Sequence, residues 1–188
     1  MSALSPINVP VPLIVFRKGI APPDEILYFA SNMPLKLIRN PTEDQLQELG
    51  RNCLESAEDL AHINAHPYRN VTVENGAQLL DFLRNQGNGG HCFLVSQDGE
   101  IVGFINYGSV IPHHRNAFGL VIGKRYTGRG VATTALSQFL SAAPALGIVE
   151  INGYCATANA AIIRVMEING MVRDPSFQED GTLKFKAN

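Results

Sequence analysis

Apolar residues change their spacing several times along the chain, and each change marks an element. In residues 130–143, Ala132, Leu136, Phe139, Leu140 and Ala143 fall at i, i+4, i+7, i+8 and i+11, the stripe of a helix with one face on a core. Residues 93–96 and 100–106 are instead β-rich runs, parted by Gln97-Asp98-Gly99. An Asp-Gly step supplies the positive φ angles of a tight hairpin, so the two runs are expected to pair. Further strands are expected at 36–39, 117–122 and 149–154, with the tail 183–186 closing the sheet. Thr42, with Gln45 three residues on, has the form of a capping box that opens a helix running to about residue 54. Another helix is expected at 75–84. Asn159 is suited to cap a last helix that buries Ile162, Val165 and Met166, and Gly170 to end it in the left-handed region. Strands and helices mixed in this order predict an α/β (α+β) domain.

Proline usage separates the first stretch from the rest, since seven of the eleven prolines lie within residues 1–41. Residues 1–33 therefore read as an arm appended to a domain at 34–188. Within the arm, 13–16 suits an edge strand, and 24–31 a short helix entered through Pro22 and Pro23. Its apolar residues Val9, Val11, Leu13, Ile14, Val15 and Phe16 are expected to pack on the domain or on a second copy, so a homodimer is compatible with the sequence.

Composition removes several classes. With 188 residues, 45% hydrophobic, 17% charged and a net charge of -2, the chain is neither disordered nor a basic nucleic-acid binder. The apolar run 9–16 is cut by Pro10 and Pro12, lacks a preceding basic region and is too short to cross a bilayer, so neither a membrane anchor nor a cleaved signal is expected. Cys53, Cys92 and Cys155 are widely spaced with no Cys-x-x-Cys pair, which argues against a disulfide framework or a zinc site and fits a reducing cytoplasm.

Candidate chemistry concentrates in Arg125-Tyr126-Thr127-Gly128-Arg129-Gly130, between the strand at 117–122 and the amphipathic helix. Glycines there let the backbone approach a ligand, and the amides that open the helix, from Gly130 and Val131 onward, lack intrahelical acceptors. With the positive end of the helix dipole they form a pyrophosphate site, to which Arg125 and Arg129 can add charge. A Rossmann reading fits less well, because Gly128-x-Gly130-x-x-Thr133 misses its third small residue and Glu150 lies near the start of its strand.

Arg125-x-x-Gly128-x-Gly130 resembles the Arg/Gln-x-x-Gly-x-Gly/Ala signature of the GNAT acetyltransferases, and Asn159 followed by Arg164, Glu167, Gly170 and Met171 resembles that family's second block. His66-Pro67-Tyr68, Asn75-Gly76-Ala77 and the run 99–103 are similar to the branch that contains ribosomal-protein N-terminal acetyltransferases. The resemblance covers about residues 36–188. It implies a mixed, mostly antiparallel central sheet flanked by helices, acetyl-CoA as cosubstrate, and an amine of a peptide N-terminus or small molecule as acceptor. It further implies that backbone groups of Val121 and Ile122 bond the pantetheine arm, that residues 125–131 hold the pyrophosphate with help from Thr133, and that Asn159 lies beside the pantetheine.

This sequence departs from the family where proton transfer is concerned. Met166 stands where members often carry a tyrosine, Ile162 where the related branch has a serine, and residues 117–122 contain no acid. A titratable group then comes nearest from His113 or His114 in the preceding loop, since imidazole suits base work near neutral pH. Glu150, Asn152 and Tyr154 share one face of their expected strand and are candidates to bind the acceptor, although a hydrogen-bonded structural cluster has the same pattern. These departures also leave open a non-catalytic acyl-CoA-binding module acting on a protein partner.

Overall fold

The computed structural model describes residues 25–27, 35–53, 91–108, 114–177 and 179–188. Expectations for 13–16, for the helix at 75–84 and for His113 lie outside those residues.

Local signals in the sequence become the expected caps and turns. Thr42 and Gln45 cap reciprocally, Thr42 N donating to Gln45 Oε1 at 2.9 Å and Gln45 N to Thr42 Oγ1 at 3.3 Å. They open helix α1, Glu43–Cys53, which packs on strand β4 and buries Leu46, Leu49 and Cys53. Strands β3 (His91–Gln97) and β4 (Glu100–Tyr107) form the expected hairpin, with Asp98 and Gly99 at φ 53° and 86°. Both central residues of that two-residue turn lie at positive φ, as strand twist demands.

Strand β5 (Ala117–Ile122) leads into α2 (Val131–Ala142), whose Val131, Ala135, Leu136 and Phe139 share a core with Phe93, Ile105 and Phe118. Strand β6 (Asn152–Ala156) precedes α3 (Ala160–Ile168), which Asn159 caps by accepting Ile162 N at 3.3 Å. At the other end of α3, Gly170 takes φ +74°, Gly170 N bonds Glu167 O and Met171 N bonds Met166 O, each at 3.0 Å. That paired geometry satisfies two terminal carbonyls and needs the left-handed glycine.

The sheet order is β1-β2-β3-β4-β5-β6-β8-β7, with β1 Glu25–Leu27, β2 Leu35–Arg39, β7 Val172–Arg173 and β8 Thr182–Lys186. Every pairing is antiparallel except β5 with β6. The expected mixed, mostly antiparallel sheet is therefore present.

Three expectations need correction. Glu25–Leu27, placed in a short helix at 24–31, is a strand, because it pairs with Lys36, Leu37 and Ile38 of β2. The strand expected at 149–154 begins only at Asn152, whose N–H makes the first bond toward β5, to Asn116 O at 2.8 Å; Val149 ahead of it is fully exposed. The C-terminal tail does not close the sheet, since β8 lies between β6 and β7.

Candidate functional site

The loop after β5 begins as a tight turn, with Tyr126 N donating to Gly123 O at 2.9 Å and Thr127 N to Lys124 O at 3.2 Å. Gly128 and Gly130 then take φ +75° and +80°, and a Cβ built on either meets no atom within 4 Å. Only glycine enters that region without strain, and the space ahead of both residues is open. The first bond of α2 runs from Thr134 N to Gly130 O, 3.0 Å, and no side chain caps the helix. Amides of Gly130, Val131, Ala132 and Thr133 thus lack intrahelical acceptors at the positive end of α2. The arrangement suits a phosphate anion.

Beside this loop the sheet opens. β5 and β6 pair only at Ala117↔Asn152 and Phe118↔Gly153, so residues 119–122 of β5 have no partner on β6. Gly108 N→Ala117 O at 3.0 Å and Gly123 N→Val102 O at 2.9 Å bracket the β4–β5 ladder. Because backbone polar groups alternate along a strand, odd-numbered residues of β5 bond β4 and even-numbered ones face β6. Leu120 and Ile122 therefore direct their N–H and C=O groups into the gap. Val121, expected beside Ile122 on the ligand, directs its own toward Phe104 of β4, its partner in the register. Leu120, not Val121, shares the orientation of Ile122, which only the register with β4 reveals.

Arg125 is also placed differently from the simplest reading. Its guanidinium donates to Asn52 Oδ1 at 2.6 Å and to Glu100 Oε1 at 2.9 Å, and lies 4.7 Å from the centre of the Tyr126 ring. Tyr126 is buried and donates to the same Glu100 oxygen at 2.5 Å; burial, then that bond, push its phenol up to about 12. The charge of Arg125 is spent on α1 and the β3–β4 hairpin. Arg129 and Thr127 are exposed, Thr133 half-buried, all at the mouth of the cradle. Asn159 is half-buried at the start of α3, its Oδ1 engaged by the cap.

On β6 the two faces differ. A Cβ on Gly153 would collide with Met166 Sδ and lie 2.9 Å from Phe118 Cε1, so Gly153 faces α3 and Tyr154 the opposite side. There the His114 ring stacks on Tyr154, 4.0 Å between centres and 4° between planes, with Phe177 edge-on to both. His114 is buried, and its Nε2 lies 3.0 Å from Glu179 Oε2. Burial first, then the charges of Glu150, Asp174 and Glu179, raise the Tyr154 phenol above its ordinary range. Glu150, just ahead of β6, accepts from Asn152 Nδ2 at 2.9 Å and Asn116 Nδ2 at 2.7 Å, and these bonds hold its carboxyl below the usual range. The three residues read as one strand face are thus together, with Glu150 joined by side-chain bonds rather than by the strand. Glu179 and Phe177 were not singled out by the sequence; they reach His114 across more than sixty residues.

The acetyltransferase (GNAT) domain family matches residues 37–172. A search of curated protein sequences finds no match to the chain. Among solved structures it is similar to RimL, a ribosomal alpha-N-protein acetyltransferase in complex with coenzyme A, at 14% identity, TM-score 0.65, 86% of this chain and 97% of that one. It is similar also to spermidine N-acetyltransferase from Vibrio cholerae in complex with CoA and spermine (15%, 0.60, 82% and 94%). A GNAT-family acetyltransferase from Bacillus anthracis gives 20% identity, TM-score 0.62, and coverage of 86% and 98%. At these identities the solved structures attest the fold, and the family match over most of the chain attests the kinship. The chain belongs to the GNAT acetyltransferases, acetyl-CoA-dependent N-acetyltransferases.

Proposed function

We propose that this chain transfers an acetyl group from acetyl-CoA to a primary amine, either a peptide N-terminus or a small-molecule amine, with the domain at 34–188 carrying both sites. The observation that carries the reading is the junction of two features: the open cradle of Gly128 and Gly130 with four unpaired amides, and the gap beside it where Leu120 and Ile122 present backbone groups. The cradle fits the pyrophosphate of coenzyme A, and the gap fits its pantetheine arm, which bonds like an added strand. Bound acetyl-CoA supplies the activated carbonyl. Everything else the reaction needs comes from the chain, and much of the rate follows from holding an amine beside that carbon. Arg129, Thr127 and Thr133 supplement the cradle, and Asn159 flanks the arm. The spermidine and ribosomal-protein enzymes of the same fold act, respectively, on a small-molecule amine and on a protein alpha-amine.

An amine must lose a proton before it attacks, and His114 is the group we assign to take it. Tyr154, on which it stacks, is the first residue of β6 past the last pairing with β5. The imidazole therefore sits where the gap begins. With Nε2–H donated to Glu179, Nδ1 is the basic nitrogen. Glu150 and Tyr154 then line the acceptor side, while Asn152, buried beneath them, holds Glu150. Three free thiols, two of them buried, support a reducing cytoplasmic setting.

The test is release of free thiol from acetyl-CoA across a panel of small amines and N-terminal peptides. Amine-dependent release supports transfer. Tight coenzyme A binding with no release for any amine would replace this reading with a binding module.

A further inference from the structure

The cofactor loop is held from outside by residues that no part of the signature contains. Glu100, the first residue of β4, accepts from both Arg125 Nη2 and Tyr126 OH through one oxygen. Asn52, in the last turn of α1, accepts from Arg125 at 2.6 Å and donates to Ile101 O at 2.7 Å. Glu48, one turn earlier, accepts from Ile101 N at 2.8 Å. Beneath them, a Cβ on Gly123 would lie 2.8 Å from Cys53 Sγ and 3.1 Å from Asn52 O, so α1 is in direct contact with the start of the loop. The α1 terminus, the hairpin and the loop are thus three separate pieces of chain tied at one point.

We propose that Glu100 and Asn52 are positioning residues for the cofactor loop: by fixing the Arg125 guanidinium and the Tyr126 phenol, they set the geometry of the Gly128–Gly130 cradle and hence the affinity for coenzyme A, without touching it. The inference rests on the reading of that cradle as the pyrophosphate site. Its logic is geometric. Gly128 and Gly130 have no side chains to lock their conformation, and the loop's only large buried side chain is Tyr126. Fixing the residues just before the glycines is the available way to keep the amides aimed at one point. Glu100 and Arg125 are each about half exposed, at 50% and 56%. An isolated pair so exposed contributes little to global stability, but here one carboxylate oxygen and one guanidinium are shared among four groups. The effect therefore falls on the loop instead of on the fold. Arg125 in this arrangement is a structural cation, with Arg129 left to meet the phosphate.

The contrary view, in which Arg125 binds phosphate directly and Glu100 merely competes for it, predicts the opposite sign. Removing Glu100 would then release Arg125 and tighten binding. Full-length wild type, Glu100→Ala, Glu100→Gln and Asn52→Ala are titrated with coenzyme A by calorimetry, and amide exchange of residues 125–133 is followed without ligand. We expect Glu100→Ala and Asn52→Ala each to weaken binding about tenfold, the scale of a charge-assisted bond lost at a partly exposed site. KM for acetyl-CoA rises in parallel while kcat at saturation stays within about twofold. Glu100→Gln, which keeps an acceptor oxygen, restores most of the affinity. Faster exchange is confined to the loop. Unchanged or tighter binding in Glu100→Ala, a Gln variant no better than Ala, or exchange accelerated throughout the domain would each overturn the proposal. A wild type that binds no coenzyme A would overturn the underlying reading as well, a result separable from the others.

Discussion

The two ends of the β5–β6 gap solve different problems with different materials. At the loop end, on the proposed function, the binding groups are chiefly backbone amides, aimed by glycines at positive φ and by a helix terminus. At the other end the groups assigned in the proposed function are side chains: His114 stacked on Tyr154 and bonded to Glu179, with Glu150 fixed by two amides. A phosphate is recognised well by many small dipoles converging on one place. Moving a proton needs one titratable group at one place, and that group must be oriented by partners. The first design writes itself into a short contiguous motif. The second is assembled from residues far apart in the chain.

The comparison breaks most completely at Gly128. A glutamate there needs φ +75°, fills the open cradle and sets a carboxylate against the phosphate. Gly128→Glu is expected to abolish coenzyme A binding while the folded chain keeps its circular-dichroism spectrum and a cooperative melt, lowered only by the strain of a non-glycine residue at that φ; retained affinity would end the cradle's role. The other end gives a graded loss. His114→Asn is expected to lower kcat/KM about a hundredfold, at the low end for a general base, and to remove the acidic limb of its pH profile with coenzyme A affinity unchanged. Glu179→Gln keeps an acceptor for Nε2–H and should therefore lower kcat/KM less than His114→Asn does. Wild-type rates and limbs in both variants would leave His114 as packing alone.

A third effect is on stability. A methyl on Gly153 collides with Met166 Sδ and with the Phe118 ring, both of them buried. Gly153→Ala is expected to cost about 1–3 kcal/mol in chemical denaturation, the scale of overpacking in a core. Because β5 and β6 meet at this residue, the variant should also lower kcat, whereas the loop's binding of coenzyme A should persist.

Legibility in the sequence followed the same division. Features set by neighbouring residues were visible: the Thr42–Gln45 cap, the Asp98-Gly99 turn, the strand 117–122 to its last residue, the Asn159 cap and the Gly170 stop. Each is a local rule in which one residue type satisfies one backbone demand. Errors came where distant pairing decides. Residues 25–27 carry a helical cue in Pro22-Pro23, and pairing with β2 overrides it. Val149 and Ile151 are apolar and β-branched, as a strand asks, yet the parallel partner starts only at Ala117 opposite Asn152. The same holds for the site. Glycines 128 and 130 could be read directly, but the outward turn of Arg125, the shared orientation of Leu120 and Ile122, and the reach of Glu179 to His114 all require the register of the sheet.

The smallest expected effect separates the two arginines of the loop, which the sequence treats alike. Arg129 is exposed at the mouth of the cradle, while the guanidinium of Arg125 is tied to Asn52 and Glu100. Arg129→Ala should weaken coenzyme A binding only about three- to fivefold, because the backbone amides remain and an exposed cation acts through screened attraction. Arg125→Ala should weaken it about tenfold, as the loss of either anchor does, and for another reason, a loosened loop. Salt distinguishes the causes. Attraction between exposed charges fades as the Debye length falls from about 10 Å at 0.1 M to about 3 Å at 1 M. The affinity difference between wild type and Arg129→Ala should therefore shrink toward nothing across that range, while the difference for Arg125→Ala shrinks only in part, since the bond to the neutral Asn52 amide outlasts screening of the half-exposed pair with Glu100. Titrations of the three proteins at four salt concentrations check this. Parallel salt dependence for both variants would mean that Arg125 meets the phosphate after all, and that the loop end uses side-chain charge as the other end does.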